Sequence, residues 1–218
     1  MIFLDQDCLV TKDWLSAILG YVENPAIDAV GGSVANANLS NCAGSVLFFL
    51  EFMHQIAGPP QQICDPYFLI GCNLALKSKI FDKVSFPDRT MAEDVIFSAG
   101  LKRAGFKLLY DPSLTVAHIN KSGWRNVWAY LYRLGKAARD YYSYAESRRS
   151  AILLRYPWFA YISCFFVLPF IFLKLLAAGN IRYLSYFIIL TPLCWIGHLR
   201  WARGFCKRHK EITIARKK

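Results

Sequence analysis

At 218 residues the chain has room for one domain and a tail, and 55% hydrophobic with 16% aromatic residues is too rich for a wholly water-soluble protein of that size, so part of it is expected in lipid. Lysine and arginine number 26 against 15 acidic residues, a formal charge of +11, with the basic excess from Lys121 onward. That asymmetry suits an anionic membrane surface, and nucleic acid would give the same arithmetic. The seven cysteines (8, 42, 64, 72, 164, 194 and 206) form no Cys-x-x-Cys pair, so no disulfide or zinc site is expected. The four apolar residues before the first acid are too few for a signal peptide.

Met1-Ile2-Phe3-Leu4-Asp5-Gln6-Asp7 is a short apolar run ending in two carboxylates one residue apart. Four apolar residues suffice for a buried strand, and a strand ending in acids delivers them to the sheet edge where open α/β folds bind ligands. Carboxylates at i and i+2 project to the same side and can share one divalent cation with a diphosphate. The same pattern is that of a strand followed by an aspartate that starts a helix.

Thr11 or Asp13 then caps a helix through about Val22, with Trp14, Leu15, Ile18, Leu19 and Val22 on one face, and Asn24-Pro25 ends it. Asp28 to Val34 reads as a strand whose central Gly31 and Gly32 mark either a close approach by ligand or backbone, or a bulge. Asn41 to Ala57 is a very apolar helix bounded by Gly58-Pro59-Pro60, too short and too interrupted by Glu51 and His54 to cross a bilayer, so it packs on a sheet or lies half sunk in the interface. Pro66 to Leu76 reads as a strand interrupted by Gly71-Cys72-Asn73, and Ser78 to Val84 as a short helix. Ala92 to Gly105 is a helix with Glu93 and Asp94 in its first turn, Lys102 and Arg103 in its last, and Gly105 as its stop. Lys107 to Tyr110 and Leu114 to Ala117 are short strands split by Asp111-Pro112, and His118 ends the second.

Ser122 to Tyr144 interleaves Trp124, Trp128, Tyr130, Leu131 and Tyr141 with Arg125, Arg133, Lys136 and Arg139, the pattern of a helix in the headgroup region or of an ordinary amphipathic core helix. Trp158 to Ala178 and Tyr183 to Leu199 are hydrophobic runs of 21 and 17 residues separated by a short turn, and they predict a transmembrane hairpin. Arg148, Arg149 and Arg155 precede the pair and Arg200, Arg203, Lys207, Arg208 and Lys210 follow it, which places both ends in the cytoplasm. The chain thus divides into residues 1–121, an amphipathic interface helix over 122–150, the hairpin over 151–200 and a basic tail over 201–218.

Taken in order, Phe3-Leu4-Asp5-Gln6-Asp7, Gly71-Cys72-Asn73-Leu74-Ala75, Glu93-Asp94, Leu101-Lys102-Arg103-Ala104-Gly105, Tyr110-Asp111-Pro112 and His118 resemble the family 2 glycosyltransferases of the GT-A fold, from Met1 to about Lys121. The resemblance implies an α/β fold: part of a GT-A, Rossmann-like domain, the C-terminal part of the catalytic domain, followed by an amphipathic helix and two transmembrane helices. It implies transfer of a sugar from a nucleotide diphosphate sugar to an acceptor hydroxyl, usually with inversion. On it, Asp7 ligates Mg²⁺ or Mn²⁺ and Asp5 assists or holds the donor's ribose. His118 completes the coordination, or is a strand-end histidine bonded to backbone. Asp94 is the base and Glu93 the nearby alternative, unless the two are plain helix-start acids. Gly71 and Asn73 line the donor sugar and acceptor. The expected partners are the nucleotide sugar, membrane lipids and a lipid-linked or cell-envelope glycan as acceptor, with no nucleic acid. The expected location is the cell membrane, multi-pass, with a cytoplasmic catalytic domain.

Processive members of that family carry Gln-x-x-Arg-Trp before their membrane segments, and the nearest stretch here is Ser122-Gly123-Trp124-Arg125, so non-processive transfer is expected. The family's nucleotide-binding half precedes the Asp-x-Asp strand, so an upstream half or a separate chain is expected to complete the domain. Two other classes compete: a non-catalytic remnant or accessory membrane protein, and a basic module binding membrane or nucleic acid through Lys207 to Lys210 and Arg216 to Lys218.

Overall fold

The computed structural model describes residues 1–56, 64–88, 91–144 and 148–207. The expected Gly58-Pro59-Pro60 helix stop and most of the basic tail, from Arg208 on, lie outside the described residues. Five strands, β1 (Ile2–Leu4), β2 (Cys8–Val10), β3 (Ala29–Asn36), β4 (Asn73–Leu76) and β5 (Leu108–His118), form one sheet in the order β1-β4-β3-β5-β2. Only β3 and β5 pair in parallel. The chain therefore passes from one end of the strand order to the other through Asp5-Gln6-Asp7 alone.

β1 is not the buried strand its composition predicts. It is an edge strand with Ile2 37% and Leu4 40% exposed, and Phe3 turns inward against Phe86 at 5.3 Å between ring centroids. Asp111-Pro112 does not split β5 either. Pairing runs to Gly32↔Asp111 and resumes at Val34↔Val116, so Ser33 alone faces the longer β5 stretch from Pro112 to Thr115. The proline is accommodated as a bulge because Ser33 Oγ donates to the Pro112 carbonyl at 2.7 Å. Gly32 makes room for it: a Cβ there would lie 1.9 Å from the Leu114 carbonyl oxygen. Both readings of the β3 glycines, backbone approach and bulge, describe this one contact.

α1 (Trp14–Glu23) ends at Asn24 as predicted, but only Trp14 and Ile18 face the sheet while Leu15 and Leu19 are exposed. α2 (Cys42–Glu51) is capped by the Asn41 side chain, which accepts from the Gly44 amide at 2.8 Å, and everything from Ala43 to Leu50 is buried. It stops six residues before the expected Ala57, at Glu51. Residues 66–72 are loop and turn, β4 starting only at Asn73, and Ser78–Asp82 is a 3-10 turn. α3 (Glu93–Arg103) is stopped by Gly105 at φ +80°, the left-handed conformation glycine adopts without penalty.

α4 (Trp124–Tyr144) is followed by α5 (Arg148–Arg155), α6 (Phe159–Ile162), α7 (Cys164–Ala177) and α8 (Ile181–Cys206). α4 buries Val127 and Leu131 in the core, with Trp128, Tyr130 and Leu134 packed partly against it and Trp124 exposed. Glycines bring α4 and α8 together backbone to backbone: a Cβ on Gly135 would lie 1.9 Å from the Trp201 carbonyl oxygen, and one on Gly204 2.0 Å from that of Tyr132. α8 is also held to the domain at both ends. The Asn36 amide donates to Tyr183 Oη at 2.7 Å, and Arg139 Nη1 donates to the Phe205 carbonyl at 3.1 Å. α8 thus lies alongside the domain with one face buried and both ends tied, while Ile188, Ile189, Ile196 and Leu199 are exposed. Among the described residues one helical stretch, Phe159–Ala177, is long and apolar enough to cross a membrane.

Candidate active site

Asp5, Asp7, Gly71, Glu93, Asp94 and His118, six of the seven residues singled out from sequence, line one cavity of 230 Å³ together with Glu51, Lys121 and Tyr130. The acidic turn is shaped by its own backbone, the Cys8 amide donating to the Asp5 carbonyl at 3.0 Å, and pinned to the end of β5 by the Ile119 amide, which donates to the Asp7 carbonyl at 2.8 Å. His118 Nε2 consequently lies 3.4 Å from Asp7 Oδ1. Cys8, opposite His118 in the β2–β5 register, joins them: the donor atoms of Asp7, Cys8 and His118 lie within 4.8 Å of one another. Its only signal in the sequence is adjacency to Asp7. Asp5 stands at the exposed rim, its carboxyl held above the ordinary range first by partial desolvation and then by the Asp7 charge.

The imidazole is oriented from behind. His118 Nδ1 is 3.2 Å from Asn120 Oδ1, and Asn120 Nδ2 donates to Asn36 Oδ1 at 3.0 Å. An amide oxygen only accepts, so Nδ1 is the donor to Asn120 and Nε2 is the ring atom left facing Asp7. An imidazole lone pair beside a carboxylate is a donor set that suits Mn²⁺, and Mg²⁺, which prefers oxygen ligands, less well. The residues present therefore fit a divalent ion. Replacing Asn120 by Leu is expected to weaken Mn²⁺ binding about 10–100-fold by releasing the His118 ring. Calorimetric titration measures this, and an unchanged affinity would mean that Asn120 does not orient the ligand.

Across the sequence, α3 supplies the acids. Its approach residue Ala92 sits at φ 59°, a left-handed conformation costly for a residue with a side chain, and Glu93 and Asp94 follow at once in the first turn. Asp94 Oδ2 accepts from the Gly71 amide at 3.1 Å and Oδ1 from the Val95 amide at 2.8 Å. Burial pushes its carboxyl up to about 6, the Glu93 charge adding to the rise and the Gly71 bond opposing it. A carboxylate in that range is a competent proton acceptor near neutral pH. Glu93 Oε2 is buried and has no hydrogen-bond partner among the described residues.

Gly71 acts through its amide. A Cβ there would stand 3.7 Å from Asp94 Cβ, an ordinary contact, so Asp94 does not itself demand the glycine. Asn73 is not in the cavity wall. It is fully buried, accepting from Trp14 Nε1 at 3.2 Å and donating to the Ser33 and Leu114 carbonyls at 3.0 and 2.7 Å. Its amide is engaged at both ends in joining α1, β3 and β5, which corrects the expectation that it meets substrate.

Glu51 is the acid that sequence reasoning missed. It ends α2 in the cavity wall, and the Tyr130 hydroxyl donates to its Oε1. Burial pushes its carboxyl up to about 7; Tyr130 and Lys121 pull it down, while Asp94 and Asp7 push it further up. The available signal was a single carboxylate inside a very apolar helix, which is rare unless it is partnered or functional.

A family model described as glycosyl transferase family group 2 matches residues 1–199. The chain belongs to that family. The chain is also similar to a solved structure, the mannosyltransferase PcManGT from Pyrobaculum calidifontis in complex with GDP-Man and Mn2+, with a TM-score of 0.52 at 14% identity. The match covers 93% of this chain and 60% of that one, so the chain spans less than two thirds of its neighbour's length, and likeness at that identity is one of fold. Among curated proteins nothing matches. A mixed α/β, glycosyltransferase-like fold around one central sheet is what both findings support.

Proposed function

We propose that this family member transfers a sugar from a nucleotide diphosphate donor to an acceptor hydroxyl, non-processively and with inversion. The observation that carries the reading is one cavity walled by Asp7 with His118 and by Asp94 with Glu93. Asp7 Oδ1 and His118 Nε2 would hold Mn²⁺ or Mg²⁺, with Cys8 Sγ in reach. The bound ion supplies neutralisation of the charge that develops on the leaving diphosphate. Asp5, at the rim, takes the ribose hydroxyls or assists in holding the ion. Asp94 accepts the acceptor hydroxyl's proton while that oxygen forms its bond to the anomeric carbon, and the diphosphate oxygen leaves from the opposite face with the bonding pair. The Gly71 amide aims Asp94, and the open Oε2 of Glu93 accepts from a sugar hydroxyl. The neighbour's complex with GDP-Man and Mn2+ supports the donor class and the ion.

We further propose that residues 1–121 are the catalytic part and that the helices after them attach it to the cytoplasmic face of the cell membrane. Phe165 and Phe166 on α7 are 61% and 72% exposed, and Ile188 and Ile189 on α8 are 53% and 74% exposed, large apolar side chains that lipid would cover. Arg125, Arg133, Arg200 and Arg203 converge on a groove between α4 and α8, where anionic headgroups would neutralise them. The test is binding and release: the purified chain in detergent with Mn²⁺ and a panel of nucleotide diphosphate sugars. Metal-dependent binding of one donor, with release of its nucleoside diphosphate, is the expected result. Absence of binding to every donor would hand the lead to the non-catalytic reading.

A further inference from the structure

We infer that the acceptor is a lipid with an uncharged hydroxyl headgroup, its chain lying in a second cavity beside the acidic one. The inference rests on the transferase reading above and names the substrate class for its site. This second cavity measures 590 Å³, within the range of ligand-binding pockets. It shares Glu51, Phe68, Ala92, Val95 and Leu134 with the acidic cavity, so an amphiphile lying in it presents its polar end to Asp94. Elsewhere its wall is largely apolar, with Leu131, Leu153, Val167, Phe170 and Trp201. Two of its polar side chains are already engaged with each other, Ser163 Oγ and His198 Nε2 standing 2.8 Å apart. Tyr67 and Tyr141 bond each other as well, so a sugar chain or a nucleotide would find few partners there beyond Glu51, His54 and Tyr142 for the hydration it gives up, whereas a hydrocarbon chain loses nothing.

Two further observations select the occupant. Phe166 lines the cavity and is 72% exposed on α7, within the stretch apolar enough to cross a membrane, so the cavity opens where acyl chains are at hand. At the other end, Glu51, Glu93 and Asp94 stand beside the shared wall, apart from the Asp7 and His118 pair that would hold the ion and the donor's diphosphate, and these acids disfavour a phosphate headgroup there and admit a hydroxyl. The hydroxyl is also the group for which a base at Asp94 has a proton to take.

The experiment uses the whole chain in phosphatidylcholine nanodiscs with a hexadecanol that carries a photoreactive diazirine near its chain end. Labelling is expected on peptides of α4 and α7 that line the cavity, competed about tenfold better by hexadecanol than by butanol. Ala138→Trp and Val167→Trp, which fill the cavity, are expected to cut labelling about tenfold as well. The competition arm needs no variant and stands even if either fails to fold. Labelling confined to the outward side chains Phe165, Ile188 and Ile189, or competition indifferent to chain length, would overturn the inference. Transfer to a short water-soluble alcohol as efficient as to hexadecanol would overturn it too while leaving the transferase reading intact. Cavity labelling without turnover of any nucleotide sugar supports the lipid site and counts against the transferase reading instead.

Discussion

Asp94→Asn is expected to lower turnover by about 10²–10⁴-fold while leaving metal-dependent donor binding nearly unchanged. The base acts on one proton in the transition state, and the donor's diphosphate is held elsewhere. The pH dependence carries a sign. Asp94 must be ionised to accept the proton, and burial has raised it to about 6, so in the wild type turnover climbs with pH through about 6. Stability runs the other way. A carboxyl whose folded value lies above its unfolded value of 3.8 stabilises the fold fully below pH 3.8, and that contribution is lost as pH rises to about 6 and beyond. The variant, which carries no charge to bury, should therefore melt higher than the wild type at pH 8, with the two converging at acid pH. Glu51 ionises near 7 beside it, so Glu51→Gln serves to separate the two limbs of the profile. Full activity in Asp94→Asn, or an inverted difference in melting temperature, would sink the assignment.

Asp7→Asn should fail at an earlier step. Its carboxylate is 37% exposed and 3.4 Å from His118 Nε2, the geometry of a ligand with an open side rather than of a buried structural pair. Losing a charged ligand is expected to weaken Mn²⁺ and metal-dependent donor binding by more than the loss of an orienting residue does, at least about 100-fold. His118→Ala should follow in the same direction. Mn²⁺ titration followed by electron paramagnetic resonance reads the ion directly, and donor binding with and without metal reads the consequence. Equal loss of donor affinity in Asp7→Asn and Asp94→Asn would mean that the two acids do not divide the work as proposed.

Several features of this protein were determined by contiguous residues. Apolar residues ending in Asp5 and Asp7 make a strand that hands two acids to a turn, Glu93 and Asp94 open a helix, and Gly105 closes it, because propensity, capping and turn chemistry act over a few residues. These were enough to gather six of the seven expected site residues into one cavity. What the tertiary structure alone decided depends on partners far apart in the chain. Glu51 reads as a flaw in an apolar helix until Tyr130, 79 residues away, donates to it beside Asp94. Asn73 reads as a substrate ligand until Ser33, Leu114 and Trp14 claim its amide. Cys8 acquires meaning only when β2 and β5 pair and bring it opposite His118, and Asn120 only when Asn36, 84 residues away, accepts from its amide. The same holds for α8: a run of 17 apolar residues satisfies hydropathy, and only the close approach of Gly135 to Trp201 and of Gly204 to Tyr132, just beyond that run, shows that the helix also packs on α4. Hydrophobic burial is not directional, so the sequence records that a face must be covered, and packing alone determines whether lipid or protein covers it.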